Sequence, residues 1–386
     1  MYNKNRVFAA SCMAILIFGI VMTFLGTILP SVINRYNMSD SLAGLLISLL
    51  SIGMLVGTLI FGPIVDRQGY KSMLVLSVGL ICAALVAISW IDALWILGMS
   101  IFAIGFGGGV LNGGSNALVA DISSEGKSSN LSFLGIFFGL GAFGVPFLRG
   151  MMPETLAYRI PLSILAILTL FPMLFFLLIT FPRPKQEQGF PLHQGFALFK
   201  NAALPLLGLI LLLESGVEFT INNWAPKFLM NMLKLPENKA TLYFSFHLLG
   251  IMFSRLFLGV YLKNHHPAKT LRIFFAISVV SSLLILFSNS LWLTVIGLIA
   301  VGFGIAAVYP ILLAFVSEHF PALSGTAISM AMVMGLFGGA LLPYLTGAIS
   351  TQSTLRSGFI LIPVSIVLQF VIFSIYRGHT QKSVER

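Results

Sequence analysis

Long apolar runs dominate the chain, each ended by a short polar turn. A helix needs about 20 consecutive apolar residues to cross a bilayer. On that measure the pattern predicts twelve spans, at 7–34, 41–65, 72–91, 94–120, 128–150, 157–181, 202–232, 238–262, 270–288, 291–317, 322–349 and 355–376. The longest polar interval, 182–200, reads PRPKQEQGFPLHQGFALFK. Its prolines and its Gln, Lys and Glu residues predict a linker, in which GFALFK could form a short interfacial helix. The expected organisation is an all-α membrane protein: a six-helix bundle over 1–181, a linker over 182–200 and a second six-helix bundle over 201–386.

The two halves repeat. Sliding the sequence by 197 positions aligns Gly19 with Gly216, Thr23 with Thr220, Gly53 with Gly250 and Gly62 with Gly259. The same offset aligns Gly105-Phe106-Gly107 with Gly302-Phe303-Gly304, Asp121 with Glu318, Gly141 with Gly338, Pro146 with Pro343 and Gly150 with Gly347. Single glycine matches are cheap in a chain with 37 glycines, but one offset serving five of six helix pairs is not. Parallel repeats of this kind are related by an axis along the membrane normal, and such proteins hold their substrate near the bilayer midplane.

Composition changes the picture only by excluding alternatives. The chain has 386 residues, 58% hydrophobic and 9% charged, with a mean hydropathy of +0.99. A soluble domain carries about 25% charged residues, so lipid is the expected solvent. The formal charge of +10 does not point to nucleic acid, because the basic residues are scattered through short connectors. Fourteen of them (Lys4, Arg6, Arg67, Lys71, Lys127, Arg183, Lys185, Lys200, Lys263, Lys269, Arg272, Arg377, Lys382, Arg386) fall on the side of the termini, against seven opposite. That bias places both termini and the linker in the cytoplasm of a cell (inner) membrane. The run from Val7 to Pro30 is long enough to remain as a span, so no cleaved signal peptide is expected. Cys12 and Cys82 lie within apolar segments and suggest neither a disulfide framework nor a metal site. No cofactor is expected.

One apolar stretch is unusual. Residues 212–224 read LLESGVEFTINNW. A charged acid at the centre of a membrane helix costs about 2.5–3.5 kcal/mol on insertion scales, and such residues face a bundle interior or watery cavity rather than lipid. Glu214 and Glu218, at i and i+4, share one helix face. Gly216 between them leaves room for a neighbour or a ligand. Asn222, Asn223 and Trp224 extend the polar set by a turn. The segment is a candidate ligand site; the competing reading is a polar helix interface with an interfacial Trp anchor. Asn112 and Asn116, one turn apart among glycines, are candidates for hydrogen bonding either a sugar or another helix. Tyr309, next to Pro310, is either a stacking ring at a broken helix or an anchor. Counting inward at 1.5 Å per residue, His247 lies roughly 22 Å deep, level with the acids, whereas Arg255 at roughly 10 Å is shallow enough to snorkel. His247 is therefore an expected partner of the acids, and Arg255 a structural residue.

The turn after the second span reads GPIVDRQGYK, from Gly62 through Asp66, Arg67 and Gly69 to Lys71. It resembles the G-x-x-x-D-R-x-G-R-[RK] pattern of the major facilitator superfamily, with Tyr70 in place of Arg. The resemblance implies a conformational latch rather than substrate chemistry. Within that superfamily the chain is most similar to the fucose permease and sugar–cation symporter group. The similarity rests on GFGGGVLNGGSNALVADIS around the fourth span, NLSFLGIFFGLGAFGVPFL in the fifth, and Gly216-Val217-Glu218 followed by Trp224. Thr27 and Asn112 stand where the fucose permease has acids, so that acid pair does not carry over to this chain. The resemblance implies a monomeric secondary transporter for a small polar solute, most like a monosaccharide, with H+ or Na+ as coupling ion. Under it, Glu218, Asn222, Asn223, Trp224, Asn112, Asn116 and Tyr309 are expected at the substrate, and Glu218, Glu214 and His247 at the ion. A proton-driven exporter of drugs or amphiphiles is the alternative; Gly141, Gly144, Pro146 and Gly150 approach, without completing, an antiporter pattern in the fifth span. No nucleophile–base set or phosphate loop points to an enzyme.

Overall fold

A computed structural model describes residues 2–123, 127–183, 198–262 and 265–384; the side chain of Asp66 is outside that description. Among the described residues, twelve helices are long and apolar enough to cross a membrane. They are α1 (Lys4–Tyr36), α2 (Asp40–Gly62), α3 (Arg67–Trp90), α4 (Leu94–Ile122), α5 (Phe133–Met151), α6 (Arg159–Leu178), α7 (Ala203–Leu233), α8 (Glu237–Leu258), α9 (Pro267–Phe287), α10 (Leu291–His319), α11 (Gly325–Gln352) and α12 (Leu355–His379). Most of the expected linker, 184–197, lies outside the described residues.

Two compact units result. Unit 1 comprises Met1–Met38, Leu46–Phe190 and Glu237–Leu242; unit 2 comprises Ser39–Leu45, Pro191–Pro236 and Tyr243–Arg386. Inside each, glycines let helix backbones meet. In unit 1 a Cβ added to Gly53 would fall 2.3 Å from the Phe102 carbonyl oxygen, and one on Gly105 would fall 2.1 Å from that of Leu50. In unit 2 the same additions at Gly250 and Gly302 would meet the carbonyl oxygens of Ile299 at 2.1 Å and His247 at 2.2 Å. A third pair agrees: Gly107 sits against Ser77 and Ile81, and Gly304 against Phe274 and Ser278. Every partner in these pairs differs by 197. The repeat in the sequence is thus a repeat of helix contacts.

The turn between α2 and α3 is nearly continuous helix, interrupted at Gly69 with φ 77° and ψ 169°. Nothing lies within 4 Å of an added Cβ there, so it is the positive φ, not crowding, that favours glycine. Beside it Tyr70 Oη donates to Asp121 Oδ2 at 2.7 Å and Lys71 Nζ donates to the Leu177 carbonyl at 2.6 Å. The α3 start is thereby tied to the ends of α4 and α6. Arg67 is exposed and Gly62 buried.

Helix α10 does break, as the Tyr309-Pro310 pair suggested. One helical segment ends at Ile305 and the next begins at Val308. Proline cannot donate a backbone hydrogen bond and clashes with the preceding turn.

Candidate functional site

Three helices of unit 2 build the site. Glu214, Glu218 and Asn222 repeat every four residues along α7 and so line one face. The Glu214 side chain is 2% exposed, and Ser215 Oγ donates to its Oε2 at 3.2 Å. Glu218 is half-buried and has Asn222 as its side-chain hydrogen-bond partner. From α8, Arg255 reaches both carboxyls electrostatically. From the broken part of α10, Tyr309 lies within the field of Glu214, Glu218 and Arg255 together. The result is two acids and an amide on α7 and a phenol on α10, with the exposed guanidinium of Arg255 acting on the acids from α8.

Such a group has definite chemical capacity. Carboxylates accept strong hydrogen bonds from hydroxyls, and a guanidinium donates several in a planar fork. Either carboxyl can also take up a proton, the usual service of acids inside membrane transport proteins.

The other face of α7 serves packing. Gly216 approaches α11, where an added Cβ would lie 3.0 Å from the Gly338 carbonyl oxygen. Asn223 is fully buried, and its amide donates back to Phe219 O at 2.9 Å. Trp224 is 0% exposed, with Nε1 donating to Pro343 O at 3.1 Å. Both had been expected at the substrate; the Asn223 amide instead turns back on its own helix, and the enclosed Trp224 indole bonds to α11. Just beyond, Lys227 pairs with Asp40, which also accepts from Ser350 Oγ.

His247 is likewise set apart from the acids. Its Nδ1 lies 3.1 Å from Leu298 O, its ring stacks on Phe244, and its carbonyl faces Gly302. Leu50 occupies the repeat-related place against Gly105, which marks the position as one for packing. Nε2 is buried without a hydrogen-bond partner among the described residues.

Arg255, expected to snorkel, is exposed and acts on the two carboxyls through its field. In unit 1, Asn112 and Asn116 bond each other: Asn116 Nδ2 donates to Asn112 O at 2.8 Å and to Asn112 Oδ1 at 3.2 Å. Asn116 remains exposed.

Comparison with known proteins gives the same architecture. The sequence profile of the Major Facilitator Superfamily matches residues 11–286 and 207–386. The glucose/mannose transporter GlcP of Bacillus subtilis is 24% identical over 95% of this chain and 94% of its own length. The cis,cis-muconate transport protein of Acinetobacter baylyi is 22% identical over 97% of each chain. Among solved structures, the nucleoside transporter NupG superposes with a TM-score of 0.80 at 16% identity, covering 97% of this chain and 99% of that one. A D-xylose–proton symporter does so at 0.79 and 12% identity, over 95% and 96%. The chain belongs to the Major Facilitator Superfamily and is a multi-pass membrane transporter.

Proposed function

We propose, for this member of a superfamily of transporters, that the solute is a small polar organic molecule, a monosaccharide, carried by alternating access and driven by a proton gradient. The observation that carries the reading is the cluster of Glu214, Glu218, Asn222, Arg255 and Tyr309 inside unit 2. A sugar presents hydroxyls that both donate and accept, and the cluster offers both complements. The name of the Bacillus subtilis relative supports the substrate class.

The choice of a proton over sodium follows from Arg255. A guanidinium acting on both carboxyls repels a metal cation from them, whereas a proton binds covalently to one carboxyl oxygen and releases the arginine from its charge. Glu218, the half-buried acid with an amide at its side, is the proposed coupling group. Glu214, enclosed and bonded to Ser215, supports it. The basic bias of the connectors supports a cell-membrane location with both termini cytoplasmic.

The test is counterflow of labelled glucose, mannose and other monosaccharides in proteoliposomes, followed by uptake under an imposed pH or sodium gradient. Exchange of a monosaccharide, with accumulation under the pH gradient alone, is expected. Exchange of a dicarboxylate or an amphiphile but no sugar would overturn the substrate class, and accumulation under sodium alone would overturn the coupling ion.

A further inference from the structure

A second charged site lies in unit 2, away from the acids of α7. A cavity of about 390 Å³ opens at the start of α9, lined by His266, Lys269 and Arg272, by Phe315 and Glu318 near the end of α10, and by Arg377 of α12. Three permanent cations from two helices face a single carboxylate, so the cavity carries a surplus of positive charge. The first turn of α9 adds to it. Pro267 opens the helix, no acid lies in its first turn, and His266 at the N-cap makes no side-chain capping bond. Unsatisfied backbone N–H groups at a helix start favour an anion.

Basic residues that only set topology lie scattered over separate connectors. Here they converge on one concave space at the ends of three membrane helices, which is headgroup depth. We infer that this cavity binds a phosphate group, presented by the headgroup of an anionic phospholipid or by a soluble phosphate anion. Lys269, Arg272 and Arg377 would hold the oxygens, and the buried ring of Phe315 forms an apolar wall. Basic pockets between helices are known to take phospholipid headgroups on this physical ground. Glu318 opposes the anion and limits its affinity.

The experiment measures melting temperature of the detergent-purified full chain against increasing short-chain phosphatidylglycerol, short-chain phosphatidylcholine or inorganic phosphate. Phosphatidylglycerol should raise the melting temperature and phosphatidylcholine should not; a response to inorganic phosphate at comparable concentration would assign the site to a soluble anion, its absence to lipid. The double variant Arg272→Gln/Arg377→Gln should weaken the response by about tenfold or more, since each cation near an anionic lipid surface counts roughly equally. Glu318→Gln should strengthen it, which provides the decision if the double variant does not fold. No response to either anion, an equal response to phosphatidylcholine, or an unchanged response in the variants would overturn the inference.

Discussion

Two carboxyls on one helix face are legible from spacing alone, because i and i+4 residues must share a side. What faces them is not. The stretch 212–224 set Glu214, Glu218 and Asn222 in one row, yet it could not tell that Trp224 turns toward α11 while the Asn223 amide turns back on α7. That depends on which neighbour offers an acceptor, and Pro343 O is 119 residues away. Depth counting had the same weakness: it paired His247 with the acids because both lie at mid-membrane, although the ring points toward α10. The 197 offset held the missing signal, since it sets His247 opposite Leu50, an apolar packing residue. His247→Leu is accordingly expected to leave gradient-driven uptake in proteoliposomes at the parent level. Loss of accumulation with exchange intact would return His247 to the coupling group.

At the scale of helices the sequence was most informative, because apolar length is a strong and local signal. All twelve spans were anticipated within a few residues. The close contacts followed from the repeated glycines, and they make sharp predictions. An added Cβ on Gly338 would sit 1.7 Å from the Leu212 carbonyl oxygen, whereas nothing lies within 4 Å of one on Gly144. Gly338→Ala should therefore lower the melting temperature, at a cost of about 1–3 kcal/mol for forced overpacking. Gly144→Ala should be neutral or mildly stabilising. Equal effects of the two would refute the packing described. Charges at the helix ends were less legible. The offset that aligned the glycines also aligns Asp40 with Glu237, each in the first turn of its helix, but neither belonged to a recognised motif. Glu237 accepts from Ser31 Oγ at 2.6 Å and lies 4.0 Å from the buried Arg149. Asp92, between α3 and α4, is bonded by Arg35 from α1 and by Arg159 from α6. Those two bonds, Arg35 first, hold its carboxyl below the usual carboxylate range. A lowered value in the folded state means that the bridge stabilises above the ordinary carboxylate pKa and that this is lost as pH falls through the lowered one. Asp92→Asn should flatten the acid limb of a melting-temperature profile, and high salt should shrink the difference, as for any exposed pair. An acid limb unchanged by the substitution would contradict the bridge.

For the whole molecule, the repeat led to the expectation of halves at 1–181 and 201–386, whereas unit 1 also takes in Glu237–Leu242 and unit 2 Ser39–Leu45; the latch role of GPIVDRQGYK is a proposal. Orientation in the membrane is a matter of charge bias and has a direct check. A cysteine placed at Gln188, in the stretch outside the described residues, should react with an impermeant reagent only after the membrane is opened; labelling in intact cells would reverse the topology. Coupling is also a property of the whole transporter, and the proposal assigns it to one carboxyl. Glu218→Gln keeps shape and hydrogen bonding but cannot carry a proton. The decisive measurement pairs uptake against a gradient with counterflow in the same vesicles, for Glu218→Gln and Glu214→Gln beside the parent. Glu218→Gln should lose accumulation while still exchanging solute, and Glu214→Gln should be the milder of the two. If Glu218→Gln accumulates solute as the parent does, Glu218 is not the coupling group and the account of the site is wrong.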